Sequence, residues 1–116
     1  MGWFDIPCVD LSRAVTFYEA MLGCKIAVEE HDGFSIGVLP HEDSDVGGCL
    51  AVMDDTNPSD TGILIYLNCD GRLDEAIFAA KENGATIQKE KHSLGPYGHR
   101  AIILDSEGNR VALHSY

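Results

Sequence analysis

The second half of this chain repeats the first at a shift of 61 residues, and this repeat restricts the possible folds more than any other feature. The residues that coincide are Cys8 with Cys69, Phe17 with Phe78, Gly23 with Gly84, Ile26 with Ile87, Gly37 with Gly98, and Ala51 with Ala112. The same shift aligns strand patterns with strand patterns, and a helical pattern with a helical pattern. We therefore expect one structural unit that occurs twice.

The first half predicts a unit of order β-α-β-β-β. In "WFDIPC", residues 3–8, side chains alternate between two faces, as in a half-buried strand. Asp10 can cap the following helix, and Gly23 can end it in a left-handed conformation. Apolar residues recur between them at helical spacing, at Leu11, Ala14, Val15, Tyr18 and Leu22. Three strand candidates follow: "CKIAVEE", "FSIGVLP" and "GGCLAVM".

The second half predicts the same unit after a turn-rich linker, "DDTNPSD", at residues 54–60. A strand "GILIYLNC" precedes the helix "RLDEAIFAAKEN", which Gly84 ends, and the strands "ATIQKEK", "HRAIILD" and "NRVALHSY" follow. The predicted fold class is α+β: a single domain over residues 1–116, made of module 1–55 and module 61–116. Two such sheets, edge to edge with their helices outside, form a curved mixed sheet around a concave cavity, the usual form of a ligand site.

Charge and cysteine content exclude several classes of partner. The chain has 19 acidic and 8 basic residues and a formal charge of −11, which repels nucleic acid and anionic membranes. No signal peptide is visible, and no apolar stretch approaches the roughly 20 residues of a membrane-spanning helix. The four cysteines lie among apolar neighbours without a C-x-x-C pair, which is typical of reduced thiols in a cytoplasmic protein.

Three segments resemble the vicinal oxygen chelate superfamily, which includes glyoxalase I, bleomycin-resistance proteins and extradiol dioxygenases. They are "WFDIPCVDLSRAVTFYEAMLGCKI", "ILIYLNCDGRLDEAIFAAKENGATI" and "AIILDSEGNRVALHS", which together span most of the chain in the right order. The chain is most similar to small single-domain proteins related to lactoylglutathione lyase. The resemblance implies the tandem βαβββ fold and a homodimer. It leaves the activity open, because one scaffold hosts many functions.

In metal-dependent members of that superfamily, four inward-facing positions bind the metal through His, Glu or Gln. Carried over residue by residue, these positions here are Trp3, Ala51, Leu64 and Ala112. A divalent ion needs imidazole, carboxylate or thiolate donors, which these side chains lack. The resemblance therefore implies that the usual metal site is absent, and we expect no cofactor. The acidic loop at residues 41–45 matches no metal-binding spacing, and we expect it to be solvated.

Strand alternation predicts the side chains that line the cavity. The predicted ligand-binding residues are Trp3, Asp5, Met53, Leu64, Tyr66, Asn68, Arg110 and His114. Trp3 can stack on a planar ligand, or it can fill space or a subunit contact. Tyr66 and Asn68 can orient a ligand through a hydroxyl and an amide, or they can satisfy each other as a buried polar pair.

Two of these residues are candidates for catalysis by proton transfer. Asp5 is an inward carboxylate, and a desolvated carboxylate can act as a general base. The alternative for Asp5 is an ion pair with Arg110 or hydrogen bonds to a strand end. Histidine titrates near neutral pH, so His114 can act as an acid, a base or a hydrogen-bond donor, or it can simply be solvated at the end of its strand.

The sequence thus predicts a metal-independent protein that binds a small, partly planar or apolar molecule. Two alternatives stay open. One is a lyase or isomerase that acts on a small carbonyl or hydroxy substrate through Asp5, His114 or a non-standard metal site. The other is a drug-sequestering resistance protein, for which the acidic charge would match a basic drug. We also expect a homodimer, because exposed sheet edges favour pairing or module exchange between chains.

Overall fold

The computed structural model describes residues 2–116, which form two α-helices and eight strands. The first module contains β1 (Trp3–Pro7), α1 (Leu11–Leu22), β2 (Ala27–His31), β3 (Phe34–Val38) and β4 (Gly47–Ala51). The second contains β5 (Ile65–Asn68), α2 (Leu73–Glu82), β6 (Thr86–Ser93), a short 3-10 turn (Gly95–Tyr97), β7 (His99–Leu104) and β8 (Arg110–Ser115). The predicted α+β class and the duplicated βαβββ unit are confirmed.

Each module forms its own four-stranded mixed sheet, in the orders β1-β4-β3-β2 and β5-β8-β7-β6. The first strand of each module runs parallel to the fourth, and the other neighbours are antiparallel. Within residues 2–116, no strand of one sheet pairs with a strand of the other. The predicted sheet is therefore divided into two in the single chain, and β1 and β5 each have one edge without a paired strand.

The two modules differ in register on their last strand. In the first sheet the N–H of Cys8 donates to the carbonyl of Ala51 at 2.9 Å. In the second sheet the N–H of Cys69 donates to the carbonyl of His114 at 2.7 Å. His114 is thus the structural counterpart of Ala51, whereas the sequence repeat aligns Ala51 with Ala112. The second module is longer here: β6 has eight residues against five in β2, and its pairing with β7 is interrupted twice.

The helix ends follow the predicted capping residues. Asp10 precedes α1, and its carboxylate accepts the backbone N–H of Arg13 at 3.1 Å. Gly23 follows α1 with a φ of +66°, in the left-handed region that favours glycine. Gly84, beyond the end of α2, also has a positive φ, at +102°. In the described part of the chain, neither helix has the length and hydropathy needed to cross a membrane.

The modules share one hydrophobic core, because α1 and α2 lie against each other and pack on one face of each sheet. We call that face the inner face; the opposite, helix-free face, which strand alternation predicted to line the cavity, is called the outer face. Large buried side chains from both modules fill the core, including Phe17, Tyr18, Met21, Leu50, Ile103 and Leu113. The Tyr18 hydroxyl donates to the Asp105 carboxylate at 2.5 Å, which satisfies a polar group inside the core.

The loop between β7 and β8 joins the modules by capping α1. One carboxylate oxygen of Glu107 accepts the backbone N–H groups of Val9 and Asp10, each at 2.8 Å. The Nε of Arg13 donates to the other oxygen at 2.7 Å, and the Glu107 side chain is fully buried. Burial alone would raise the pKa of Glu107, but Arg13 and these N–H groups outweigh it and hold the pKa at about 2. A carboxylate of one module thus stabilises the helix start of the other.

Candidate functional site

On the outer face of the first sheet, Asp5 lies beside Trp3 and Cys49. The Trp3 indole N–H donates to Asp5 Oδ1 at 3.1 Å, and the Cys49 thiol donates to the same oxygen at 3.3 Å. Trp3 is 47% exposed and meets the His41 ring edge to face, with 5.6 Å between centroids. A Cβ at Gly47 would lie 2.6 Å from the Trp3 ring, so glycine leaves room for the indole. We call Trp3, Asp5 and Cys49 the Trp3 group.

The single chain does not provide the desolvation that a general base at Asp5 would need. Asp5 is exposed, and among residues 2–116 no ion pair or hydrogen bond links it to Arg110, which the sequence offered as its partner. Burial, and then the hydrogen bond to Asp5, raises the pKa of the Cys49 thiol to about 11. Cys49 therefore stays protonated at neutral pH and is a poor nucleophile.

On the outer face of the second sheet, Arg100 connects Tyr66 to His92. The Nε of Arg100 donates to His92 Nε2 at 3.0 Å, and Nη1 donates to the Tyr66 hydroxyl. The guanidinium carbon is 5.9 Å from the centroid of the Tyr66 ring, within cation–π range. His92 Nδ1 lies 2.8 Å from the Glu90 carbonyl, so this nitrogen carries the proton and Nε2 accepts. We call Tyr66, His92 and Arg100 the Arg100 network.

His114 lies next to this network and is half-buried. Its Nε2 is 2.6 Å from the carbonyl oxygen of Tyr97, so Nε2 carries a hydrogen and donates. In the neutral ring, Nδ1 is then an acceptor. The imidazole meets the Tyr66 ring at 5.9 Å and the Tyr116 ring at 4.8 Å, both at steep angles. His114 is therefore held in one orientation among aromatic rings, as a side chain that contacts a ligand would be.

The other predicted residues are distributed over both modules. Asn68 Oδ1 accepts the N–H of Asp70 at 2.9 Å, a local turn contact rather than the predicted pairing with a neighbouring tyrosine. Arg110 begins β8, and Met53 and Leu64 lie just outside β4 and β5. Four predicted ligand residues thus belong to strands of the second sheet, Tyr66, Asn68, Arg110 and His114, and two to the first, Trp3 and Asp5.

The sequence suggested that Arg100 could close over a ligand from the loop that precedes β7, but the predicted ligand-binding residues included neither Arg100 nor His92. Applying strand alternation to "HRAIILD" would have found Arg100, because Ala101 and Ile103 are core residues and their neighbours therefore face outward. No simple pattern predicts His92. The pairing of β6 is interrupted between Lys89 and His92, so alternation along that strand is lost.

Two clefts of the single chain contain predicted site residues. The larger, of about 360 Å³, contains Tyr66 and Asn68 together with Phe4 and His41. A second, of about 310 Å³, contains Asp5 and Arg110 beside the linker between the modules. Trp3 and His114 line neither cleft. The eight predicted residues therefore do not surround one cavity within one copy of the chain.

Residues 1–113 match the family model of the Glyoxalase/Bleomycin resistance protein/Dioxygenase superfamily. The chain belongs to this superfamily. The match agrees with the tandem βαβββ fold and confirms the family resemblance seen in the sequence. No curated protein sequence matches the chain significantly.

Several solved structures have the same fold over nearly the whole chain. A glyoxalase/bleomycin resistance protein from Albidiferax ferrireducens T118 has a TM-score of 0.77 and 14% identity, and the match covers 100% of this chain and 98% of the other. TnmS3, an antibiotic binding protein from Streptomyces sp. CB03234, has a TM-score of 0.70 and 20% identity, with 99% and 93% covered. The hypothetical protein SA1046 from S. aureus has a TM-score of 0.70 and 18% identity, with 100% and 96% covered. Identities this low support the fold alone.

The superfamily implies a metal centre, and the four carried-over positions do not fit one. Ala51 and Ala112 present buried methyl groups, Leu64 is a hydrocarbon, and the indole N–H of Trp3 donates to Asp5. None of these side chains offers a lone pair to a divalent ion. Within residues 2–116, no three His, Cys, Asp or Glu side chains come close enough together to hold a metal.

Proposed function

We propose that this protein binds a small organic molecule, without a metal ion, through the outer faces of its two sheets. The observation that carries the proposal is the Arg100 network with His114 beside it. Tyr66 is 46% exposed there, and the Arg100 guanidinium and His114 Nδ1 have hydrogen-bonding capacity left. Exposed aromatic surface with a few oriented polar groups is the composition of ligand sites. TnmS3, an antibiotic binding protein with the same fold, supports a small molecule as the ligand class.

A homodimer would complete this site, and three features support one. The Trp3 group and the Arg100 network lie on different sheets, and each leaves aromatic surface exposed. The free edges of β1 and β5 favour pairing with another chain. In a two-fold dimer that joins β1 of one copy to β5 of the other, Trp3 and Asp5 would lie beside Tyr66 and His114. Light scattering at the concentrations used for binding tests this, and a monomer that binds ligand fully would contradict it.

A thermal-shift screen tests the binding function directly. Hydroxy-ketones, thiol conjugates and aromatic antibiotics are the compounds to screen, and a ligand raises the melting temperature. Trp3→Ala and Tyr66→Ala should abolish the shift, whereas Phe78→Ala, which removes an exposed aromatic ring from α2, should leave it unchanged. Normal binding by both site variants would refute this placement of the site. One tightly held Fe, Zn, Ni or Mn per purified chain would refute metal independence.

A lyase or isomerase that transfers a proton at His114 is the second candidate function. The hydrogen bond from Nε2 to the Tyr97 carbonyl fixes the orientation of the imidazole ring. In the neutral ring, Nδ1 can then accept a proton or a hydrogen bond. Asp5 would join it only across the proposed dimer, because it lies on the other sheet. Incubation of screening hits in deuterated water, followed by NMR, tests the idea. Exchange of a ligand C–H that His114→Gln abolishes would favour an enzyme, and its absence would favour simple binding.

We also propose a cytoplasmic location. All four cysteines are free in the structure, and three are buried. Burial is also the first cause that raises the pKa of the Cys8 thiol to about 11. Unreactive reduced thiols of this kind are typical of a reducing compartment. Fractionation of cells that express the tagged chain would test the proposal, and recovery in the membrane or secreted fraction would refute it.

A further inference from the structure

Three of the eight basic residues of this acidic chain lie on the outer face of the second sheet. The chain has 8 Lys and Arg residues in total, and strand pairing puts Lys89, Arg100 and Arg110 on this face beside His92 and His114. None of these three forms an ion pair with a carboxylate of residues 2–116. The net charge of −11 therefore does not describe the charge that a ligand meets here.

The strands of this sheet are almost free of carboxylates. β5, β7 and β8 contain no Asp or Glu. Glu90 on β6 lies 3.9 Å from Lys81 of α2, so its charge is directed toward the helix side. The nearest acid beyond β5 is Asp70, whose carboxylate accepts the backbone N–H of Tyr116 at 2.8 Å. Among residues 2–116, no carboxylate forms an ion pair with Arg100.

Arg100 is held in place by neutral groups. Its Nε donates to the lone pair of His92, and one Nη1 hydrogen goes to the Tyr66 hydroxyl. A guanidinium has five N–H donors, so three remain, and its planar fork matches a carboxylate. Because His92 is fixed in turn by the Glu90 carbonyl, the guanidinium is oriented before any ligand arrives.

One exposed aromatic ring contacts this guanidinium, and another contacts the nearby His114. Tyr66 contacts it directly, and Tyr97 and Tyr116 are 69% and 79% exposed beside His114. An aromatic ligand gains offset or edge contacts with such rings in addition to buried apolar area. The arrangement combines one oriented cation with apolar surface on which a flat ring can lie.

We propose that the ligand is a planar aromatic carboxylate, bound through its carboxylate to Arg100 with its ring against Tyr66 and His114. This assignment rests on the proposed function, since it names the chemical class of the small molecule. It excludes a basic drug as the ligand on this face, because a cationic drug would be repelled by the Arg and Lys side chains there. The −11 charge, which would suit a basic drug, is carried elsewhere on the chain.

Three probes of one shape and different charge test the assignment on the unmodified protein. They are naphthalene-2-carboxylate, its neutral carboxamide and its cationic carboxamidine, titrated by calorimetry and by two-dimensional amide NMR. The carboxylate should bind at least about tenfold more tightly than the carboxamide, a difference expected for one charge-assisted bidentate pair. The carboxamidine should not bind at this face. Peak shifts should be concentrated on β5, β7 and β8.

Substitutions test whether Arg100 causes the preference for the carboxylate probe. Arg100→Gln should weaken carboxylate binding at least about tenfold and leave carboxamide binding unchanged, and Arg100→Lys should restore part of the loss. Lys25→Gln, which removes an exposed positive charge between α1 and β2, is the matched control and should have no effect. Equal binding of the three probes, preference for the carboxamidine, or indifference to Arg100→Gln would overturn the anion assignment. If no probe binds, the assignment also falls, whereas the proposed function falls only if the thermal-shift screen is negative as well.

Discussion

Glu107→Gln is the substitution that most directly tests how the two modules are held together. The carboxylate is fully buried between the β7–β8 loop and the start of α1, and it accepts bonds from Val9, Asp10 and Arg13. Glutamine has nearly the same shape and keeps one acceptor oxygen. It loses the negative charge, and it turns an N–H₂ group toward Arg13. The variant therefore removes the electrostatic part of the contact without leaving a cavity.

The pKa of Glu107 determines how much unfolding free energy the substitution removes and how that amount changes with pH. The pKa is 4.5 in an ordinary environment and about 2 in the folded protein. At 1.36 kcal/mol per pKa unit, the ionised carboxylate contributes about 3 kcal/mol. Because the folded-state pKa is lowered, this stabilisation is complete above about pH 4.5 and is lost as the pH falls toward 2. The gap between wild type and Glu107→Gln should therefore be about 3 kcal/mol at pH 7 and should shrink below pH 4.5.

Urea unfolding followed by circular dichroism at several pH values between 7 and 3 measures this gap. Glu82→Gln, at an exposed carboxylate near the end of α2, is the control and should change the free energy of unfolding by less than about 0.5 kcal/mol. A gap below about 1 kcal/mol at pH 7, or one that stays constant down to pH 3, would refute the reasoning, since a charge-based contribution must titrate.

Three further substitutions test separate features. Gly98→Ala should lower the free energy of unfolding by about 3 kcal/mol or more, because Gly98 has a φ of +92° and an added Cβ would collide with the backbone at the end of β8. A normal melting temperature would contradict this. Tyr18→Phe leaves the Asp105 carboxylate without its hydroxyl donor and should cost about 1–3 kcal/mol in urea unfolding, whereas an unchanged midpoint would mean that water replaces the hydroxyl. Gly47→Ala should displace the single tryptophan, Trp3, and shift its fluorescence emission; an unchanged spectrum would show that the indole does not rest on this glycine.

The sequence predicted the elements well because each has a local physical cause. The cap at Asp10 and the left-handed turn at Gly23 bound α1 where the sequence put its ends, and all eight strands lie within the predicted segments or within a few residues of them. The register of the last strand could not be predicted. It depends on how many residues the interrupted β6–β7 pairing absorbs, and no local pattern encodes that number.

The candidate site was predicted only in part. Alternation put Trp3, Asp5, Tyr66 and His114 on outer faces, and strand pairing agrees. Whether the two faces meet is a question of how the modules pack, which depends on α1–α2 contacts between distant parts of the chain. The contacts of Arg100 are with residues on two other strands, β5 and β6, and periodicity within one strand carries no information about them.

The Glu107 contact also has a consequence for biosynthesis. Arg13 and Glu107 are 94 residues apart in sequence. At roughly 5–20 residues per second, a ribosome makes Glu107 about 5–20 s after Arg13. During that interval the first helix lacks the carboxylate that satisfies its leading N–H groups, and the first module exposes the surface that the second will cover. The nascent first half therefore exposes apolar surface of the shared core until the last hairpin emerges and docks.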